Sequence, residues 1–166
     1  MSIGMILRPL LSALLLLLVL WPELFTPVFA PLAPNGGPVI YARATLLSLS
    51  LSHLGLVFVA SLAATVVAVT LAIFVTRPVG ASFRPLSRTV ANMGQTFPPV
   101  AVLALAVPVL GFGPGPTLVA LFLYGLLPIF ENAMTALSNL PAATMEAARG
   151  LGLTRWQRLI RVELPL

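Results

Sequence analysis

Few side chains of this sequence can carry out chemistry, and their spacing does not bring them together. The sequence contains no aspartate and one histidine, His53. Its four acids are scattered at Glu23, Glu131, Glu146 and Glu163. Cysteine is absent, which excludes disulfides, thiolate metal sites and cysteine nucleophiles. The pattern therefore predicts neither a metal site nor an acid–base catalytic cluster, and it argues against an enzyme.

The C-terminal segment 138–166 is far less apolar than the rest of the chain. Ser138 or Asn139 can cap a short helix there, because a hydroxyl or amide oxygen accepts from an orphan N–H. Gly150 and Gly152 are expected to end this helix, since glycine adopts the left-handed conformation at low cost. The pattern predicts a helix followed by a glycine turn.

A second helix is predicted directly after this turn. Thr154 and Gln157 fit a capping box at its start, and Pro165 stops it. Its apolar face is formed by Trp156, Leu159 and Ile160. Glu163 falls on the same apolar side, for which the periodicity gives no reason. Two interpretations stay open: a segment that docks on another protein, or an amphipathic helix lying on lipid with its arginines among the headgroups.

A second group of candidate residues lies inside or beside apolar stretches. Its members are Asn92, Gln95, Thr96, Phe97, Tyr124 and Glu131. Polar groups at membrane depth face protein or water, so these residues either line a substrate path or bond neighbouring helices together. Phe97 and Tyr124 can contact a quaternary ammonium group or simply pack. Glu131 can contact a charged substrate or pair with a loop arginine. His53 is interpreted as an interfacial polar residue rather than a ligand.

The elements that hold these residues must suit a membrane. The chain is 59% hydrophobic and only 8% charged, against about 25% charged in a soluble domain. A spanning helix needs about 20 apolar residues. Four segments are predicted to span, namely 5–21, 54–75, 90–110 and 117–136. A signal peptide is the alternative for the first, because Val28-Phe29-Ala30 resembles a small-residue cleavage site.

The arginines predict an orientation and explain the net charge of +5. With four crossings and a cytoplasmic N-terminus, eight of nine arginines fall on one side, and only Arg43 falls outside. The eight are Arg8, Arg77, Arg84, Arg88, Arg149, Arg155, Arg158 and Arg161. The positive-inside rule assigns them to the cytoplasm, so the surplus reflects topology rather than nucleic-acid binding. Without internal repeats or low-complexity linkers, residues 1–166 are predicted to form a single domain.

The segment 138–166 resembles the loop by which permeases of ABC importers dock on their ATPase. That loop is written E-A-A, three residues, G, nine residues, I, one residue, L-P. The matching residues are Glu146, Ala147, Ala148, Gly152, Val162, Leu164 and Pro165, with valine in place of isoleucine. The resemblance implies a coupling helix inserted in a cleft of the nucleotide-binding subunit. Glu146 would supply a polar contact, Gly152 the turn, and Ala147 and Ala148 a close approach.

The arginines of the same segment have two interpretations. Arg149, Arg155 and Arg158 either meet acidic groups on the ATPase or are there only because the segment is cytoplasmic.

A longer stretch, roughly 89–166, resembles one subfamily, the osmoprotectant permeases for glycine betaine, choline and carnitine. The similar stretches are Asn92–Pro99, Leu110–Gly113 and Ala120–Ile129. The resemblance implies an all-α membrane protein, a polytopic bundle like the type I ABC-importer permease fold, with about four spanning helices and a cytoplasmic coupling helix. It also implies a transport subunit of the inner membrane that imports a compatible solute by alternating access.

The implied partners are an ABC ATPase that binds the ATP, a second permease subunit, identical or different, and an extracytoplasmic solute-binding protein. No cofactor of its own is expected.

Glu131 departs from the subfamily, whose members often carry a basic residue there. The family also continues past the Leu-Pro pair with further helices, so a C-terminally truncated fragment is expected. Alternatives are a permease for another small polar solute, such as an amino acid, and a channel or scaffold subunit without an ATPase.

Overall fold

The computed structural model describes residues 3–33, 39–41 and 43–166, and all regular elements in these ranges are helical. This confirms the predicted all-α class. The chain divides into two compact units, 1–55 and 56–166, and α3 contains the boundary. The single domain predicted over 1–166 stays a prediction.

The first unit begins with α1, Ile3–Leu20, which matches the first predicted apolar segment. The helix ends before Pro22, and three short helical turns follow: Pro22–Phe25, then α2 over Thr26–Phe29, then Ala30–Leu32. Neither part alone is long and apolar enough to cross a membrane. The two together are, but they are bent by 109° relative to each other. Proline explains the break, because it lacks the N–H that would continue the helical ladder.

The helix α3, Leu46–Thr76, has 31 residues and a strongly apolar sequence. It contains the second predicted segment, 54–75, and begins before His53. Alanines four residues apart are buried along one stripe: Ala60, Ala64, Ala68 and Ala72. Larger side chains at the same spacing are exposed on another stripe: Leu54, Phe58, Leu62 and Val66. Small residues that permit close helix packing, beside an apolar outer face, are typical of a membrane bundle.

The third predicted segment, 90–110, is wrong as a single helix. The structure has α4, Arg84–Thr96, and α5, Pro99–Leu110, with Phe97 and Pro98 extended between them. Proline disfavours the helical conformation of the residue before it, and two consecutive prolines apply this to both Phe97 and Pro98. With 12 residues, α5 is about 18 Å long and shorter than the hydrocarbon core of a bilayer.

The helix α6, Pro114–Ser138, corresponds to the fourth predicted segment. The turn before it uses Gly111 and Gly113, with φ of 76° and 141°, a left-handed region of backbone conformation that favours glycine. Both α4 and α5 pack against α6. The core lies where α3, α4 and α6 meet, and includes Val75, Ala91, Leu126, Phe130 and Met134.

Among the described residues, α3 and α6 are each long and apolar enough to cross a membrane, and the bent N-terminal pair makes a third if it counts as one span. Three short helices follow α6: α7, Ala142–Gly150; α8, Arg155–Arg158; and a π-helical turn, Leu159–Glu163. Ser138 ends α6, and α7 starts after Pro141 without a side-chain cap, so the cap expected from Ser138 or Asn139 is wrong.

Candidate functional site

The docking segment, 138–166, presents one face of α7 to solvent. Ala143, Glu146, Ala147 and Gly150 are exposed on this face, and Ala142 and Arg149 are exposed beside it. Residues three and four apart share a helix face, so the first four form one contiguous surface with a single carboxylate between small residues. Ala148 lies on the opposite face with only 4% exposure. The side chain of Ala148 thus faces the interior, whereas Ala147 is accessible, and the close approach of a partner at these two alanines stays a prediction.

The turn after α7 has the geometry of a Schellman motif. Gly152 has a φ of 74°, and its N–H donates to the carbonyl of Arg149 at 2.9 Å. The N–H of Leu153 donates to the carbonyl of Ala148 at 3.2 Å. These bonds satisfy carbonyls at the end of the helix, and the left-handed conformation favours glycine. Of the two predicted helix-ending glycines, Gly152 therefore makes the turn, and Gly150 remains inside α7.

The capping box predicted for the next helix is confirmed. The Thr154 hydroxyl accepts from the N–H of Gln157 at 3.3 Å, and the Gln157 side chain accepts from the N–H of Thr154 at 2.9 Å. The predicted apolar face is only partly correct. Leu159 is buried, but Trp156 and Ile160 are 72% and 59% exposed.

Glu163, which the periodicity left unexplained, is buried and paired with Arg77. The carboxylate is 6% exposed and accepts from both terminal nitrogens of Arg77, with an Nη1–Oε1 distance of 3.3 Å. Arg77 directly follows α3, so the pair joins residues 86 positions apart. The sequence contained one usable signal, an acid on an apolar helix face, because a buried carboxylate requires a partner.

The other arginines of the docking segment differ in accessibility. Arg149 and Arg155 are exposed. Arg158 is partly buried and donates to the carbonyl of Leu153 at 3.4 Å, so the expected contact between Arg158 and an outside partner does not fit its position. Val162 is partly buried, while Leu164 and Pro165 are exposed. The accessible charges of this segment are thus Glu146, Arg149 and Arg155, with Arg161 further along.

The candidate path residues lie on α4 and α6, except Phe97 in the extended link after α4, and a bond from Gln95 to Tyr124 joins the two helices. The side chain of Gln95 donates to the carbonyl of Tyr124 at 3.2 Å. The hydroxyl of Thr96 donates to the carbonyl of Asn92 at 3.0 Å, within its own helix. The amide and hydroxyl groups of Gln95 and Thr96 are therefore used by the protein itself. Asn92, Phe97 and Tyr124 have exposed side chains.

Glu131 on α6 pairs with Arg88 on α4 in a two-pronged ion pair. Arg88 donates from Nε and from a terminal nitrogen, the second at 2.6 Å. This hydrogen bond raises the pKa of Arg88 above its ordinary value, and charge attraction adds to the effect. The arrangement is the arginine pairing proposed from the sequence as an alternative to a substrate contact.

These two contacts fix the register between the helices. Arg88 and Gln95 are seven residues apart on α4, while their partners, Glu131 and Tyr124, are seven apart in the reverse order on α6. Seven residues are about two helical turns, so α4 and α6 run antiparallel with one polar contact every second turn.

No group of three or more potential metal-ligating side chains occurs in the residues that the structure covers. His53 is exposed on α3. A cavity of about 710 Å³ lies beside the Arg77–Glu163 pair, between the end of α3 and the docking segment. Its walls are apolar at Ile73 and Phe74 and carry the guanidinium groups of Arg149 and Arg155.

Comparison with known proteins identifies the family. Residues 68–166, more than half of the chain, match the family described as binding-protein-dependent transport system inner membrane component. The chain belongs to this family. The match contains α4, α5, α6 and the whole docking segment. Membership places the chain among inner-membrane components of binding-protein-dependent transport systems, and the apolar helices agree with a multi-pass membrane protein.

Relatives of this permease family agree with the predicted subfamily. The osmoprotectant import permease protein OsmY of Salmonella typhimurium is 46% identical over 120 residues, which are 72% of this chain and 51% of that protein. The glycine betaine/carnitine/choline transport system permease protein OpuCB of Bacillus subtilis is 33% identical over 141 residues, 81% of this chain and 58% of that protein.

A third relative, the osmoprotectant import permease protein OsmW of Salmonella typhimurium, is 39% identical over 126 residues, which are 73% of this chain and 58% of that protein. The chain thus spans about half the length of the curated relatives it matches. No solved structure matches it.

Proposed function

We propose that this chain is the membrane permease subunit of an ABC importer that moves a compatible solute, such as glycine betaine, choline or carnitine, into the cytoplasm. Its proposed partners are an ABC ATPase, a second permease subunit and an extracytoplasmic solute-binding protein. ATP is bound and hydrolysed in the ATPase, and this chain needs no cofactor of its own. Two permease subunits frame the path and switch its exposure when the ATPases close.

The observation that carries this proposal is the exposed face of α7. Glu146 and Ala147 stand on a surface of small side chains, directly before a glycine turn that fixes how α7 leaves the next helix. A short helix with a nearly bare face can enter a cleft closely, and its single carboxylate provides a directional contact with a basic or N–H group. Of the other motif residues, Ala148 is buried and Val162 partly buried, while Gly152 makes the turn.

The substrate specificity of the proposal rests on the relatives, which are named for osmoprotectants, glycine betaine, carnitine and choline. Within this chain, Asn92, Phe97 and Tyr124 are the better candidates for the path. Their side chains are exposed along α4 and α6, whereas Gln95, Thr96 and Glu131 are engaged by the protein. An aromatic ring suits a quaternary ammonium substrate, because the face of the ring attracts a cation.

The arginines support a cytoplasmic docking segment and a cytoplasmic N-terminus. Arg77, Arg84 and Arg88 lie between α3 and the end of α4, and four more lie in the docking segment. Loops that are rich in arginine, such as those between and after these spans, stay on the cytoplasmic side of the membrane. The ATPase would meet α7 there.

The test is the variant Glu146→Lys in the assembled transporter, reconstituted in vesicles with its ATPase and binding protein. We expect uptake per ATP hydrolysed to fall by about tenfold or more, because reversal of the charge at the centre of the docking face removes a contact and adds repulsion. The matched control is Glu23→Gln, which alters an exposed glutamate outside the docking segment. Uptake and hydrolysis that stay coupled in Glu146→Lys would refute the docking assignment.

A further inference from the structure

The only buried charged side chain in the described part of the chain, Glu163, sits at the end of the docking segment and is held by a residue of another element. Its side chain is 3% exposed, and that of its partner Arg77 is 39% exposed. Removal of a carboxylate from water is costly unless a well-placed opposite charge compensates for it. The two-pronged geometry with Arg77 provides this compensation and also fixes the relative orientation of the two groups.

Arg77 is mounted on a turn with little freedom. Its N–H donates to the carbonyl of Phe74, and its own carbonyl accepts from the N–H of Gly80 at 3.0 Å. A Cβ atom at Gly80 would lie 2.1 Å from the Phe74 carbonyl oxygen, so only glycine fits there. Arg84 adds a bond from its guanidinium to the carbonyl of Val75. The main chain of Arg77 is therefore fixed to the end of α3, and its guanidinium is held in place by Glu163.

Glu163 is joined just as firmly to the docking helix. The Schellman turn at Gly152 and the capping box at Thr154 connect α7 to α8 through hydrogen bonds without a flexible residue between them. The π-helical turn that follows is closed by the N–H of Leu164, which donates to the carbonyl of Leu159 at 2.9 Å. Leu159 and Glu163 are buried on the same side of this turn. A displacement of α7 therefore carries the carboxylate of Glu163 with it.

An open space lies between part of α3 and this segment. The cavity of about 710 Å³ is lined by Ile73 and Phe74 at the end of α3 and by Met145 and Trp156 of the docking segment. Van der Waals contacts are lost across an open gap, so a cavity transmits force poorly. The Arg77–Glu163 pair bridges the two sides at the wall of this cavity.

We propose that the Arg77–Glu163 ion pair, here called the strut, transmits movement of the docking helix α7 to the spanning helix α3. Both residues are positioning residues: they touch neither substrate nor nucleotide, and they hold the docking segment at a fixed distance from α3. This proposal rests on the proposed function, because the movement originates where the ATPase docks.

The test uses the full transporter with Arg77→Glu, Glu163→Arg and the swapped pair Arg77→Glu/Glu163→Arg. Each single variant is expected to co-purify with the ATPase and hydrolyse ATP, but to lose about tenfold or more of its uptake per ATP. The swapped pair is expected to recover uptake to within about threefold of the native protein, because it restores opposite charges at the same place. A merely structural role would lower assembly and uptake together and leave their ratio unchanged.

Conservative variants keep the test decisive if a reversed charge prevents folding. Arg77→Lys retains charge without the planar fork and is expected to keep part of the coupling, and Glu163→Gln is expected to lose it. Glu23→Gln is the matched control. Native coupling in Glu163→Gln, or a swapped pair no better than the single variants, would overturn the strut. If Glu146→Lys uncouples while the strut variants do not, only the strut fails; if Glu146→Lys is also coupled, the docking function fails.

Discussion

The four glutamates of the chain occupy different environments, and the environment of each indicates its role. Glu23 and Glu146 are exposed, but only Glu146 stands on a face of small residues before a glycine turn. Glu131 joins two helices through Arg88, and Glu163 is buried against Arg77. A solvated carboxylate is available to a partner, whereas a paired one already has its counter-charge. Glu146 is therefore the glutamate best placed for docking.

The pairing of single residues was only partly predictable from the sequence. For Glu131 the sequence offered a loop arginine as an alternative to substrate, and the structure identifies Arg88. For Glu163 the helical periodicity indicated only an acid on an apolar face. Its partner is 86 positions away, and no local pattern reports a contact at that separation. Such pairs depend on how helices pack, which hydropathy does not determine.

We expect Glu131→Gln to leave the KM for uptake within about twofold of the native value, since Glu131 is engaged by Arg88 rather than free for substrate. The amide still accepts one hydrogen bond but loses the charge, so the melting temperature of the purified permease should fall slightly. Arg88→Gln should cause a similar fall, because it breaks the same pair. Uptake kinetics and thermal unfolding measure the two effects. A large rise in KM with unchanged melting would instead assign Glu131 to the substrate path.

At the scale of elements, two local signals were read correctly, the capping box and the glycine turn, whereas the helix cap expected from Ser138 or Asn139 was not. The capping box needs only Thr154 and Gln157, and the glycine turn needs only Gly152. Each can therefore be predicted from at most four consecutive residues. The third apolar segment was misread because its average hydropathy concealed Pro98 and Pro99, whose restriction on the preceding residue breaks the helix. The π-helical turn at Leu159–Glu163 had no local signal in the sequence.

The glycine turn gives a prediction in which two neighbouring glycines are compared. Gly152 and Gly150 both have open space where a Cβ would lie, but only Gly152 has a positive φ. Gly152→Ala should destabilise the docking segment by about 1–2 kcal/mol, the usual cost of a left-handed L-residue. Gly150→Ala, inside α7, should be neutral or stabilising by up to about 1 kcal/mol.

Thermal unfolding of the purified permease and co-purification of the ATPase measure this difference. We expect Gly152→Ala to lower the melting temperature and the amount of ATPase that co-purifies. Gly150→Ala should leave both at the native level or above. Equal behaviour of the two variants would mean that the left-handed turn does not set the shape of the docking segment.

At the scale of the whole molecule, the membership of the chain in a transport family and its arginine placement agree. The family match contains the docking segment and the α4–α6 pair, and the relatives are named for osmoprotectants. Substrate identity could not be derived from residues, because α4 and α6 use Gln95, Thr96 and Glu131 for their own contacts. The orientation of the chain in the membrane, by contrast, can be tested on this chain without its partners.

Because the chain contains no cysteine, single cysteines report its orientation directly. Phe112 and Leu151 are suitable sites, since they are 96% and 79% exposed in the turn before α6 and in the docking segment. A maleimide that cannot cross the membrane should label Phe112→Cys in intact cells, and should label Leu151→Cys and Gly4→Cys only after permeabilisation. The reason is that the arginines before α5 and those after α6 are both assigned to the cytoplasm, so the turn between these two helices is expected on the outer side. Labelling of Leu151→Cys in intact cells would contradict a cytoplasmic docking segment, and labelling of Gly4→Cys alone would contradict only the cytoplasmic N-terminus.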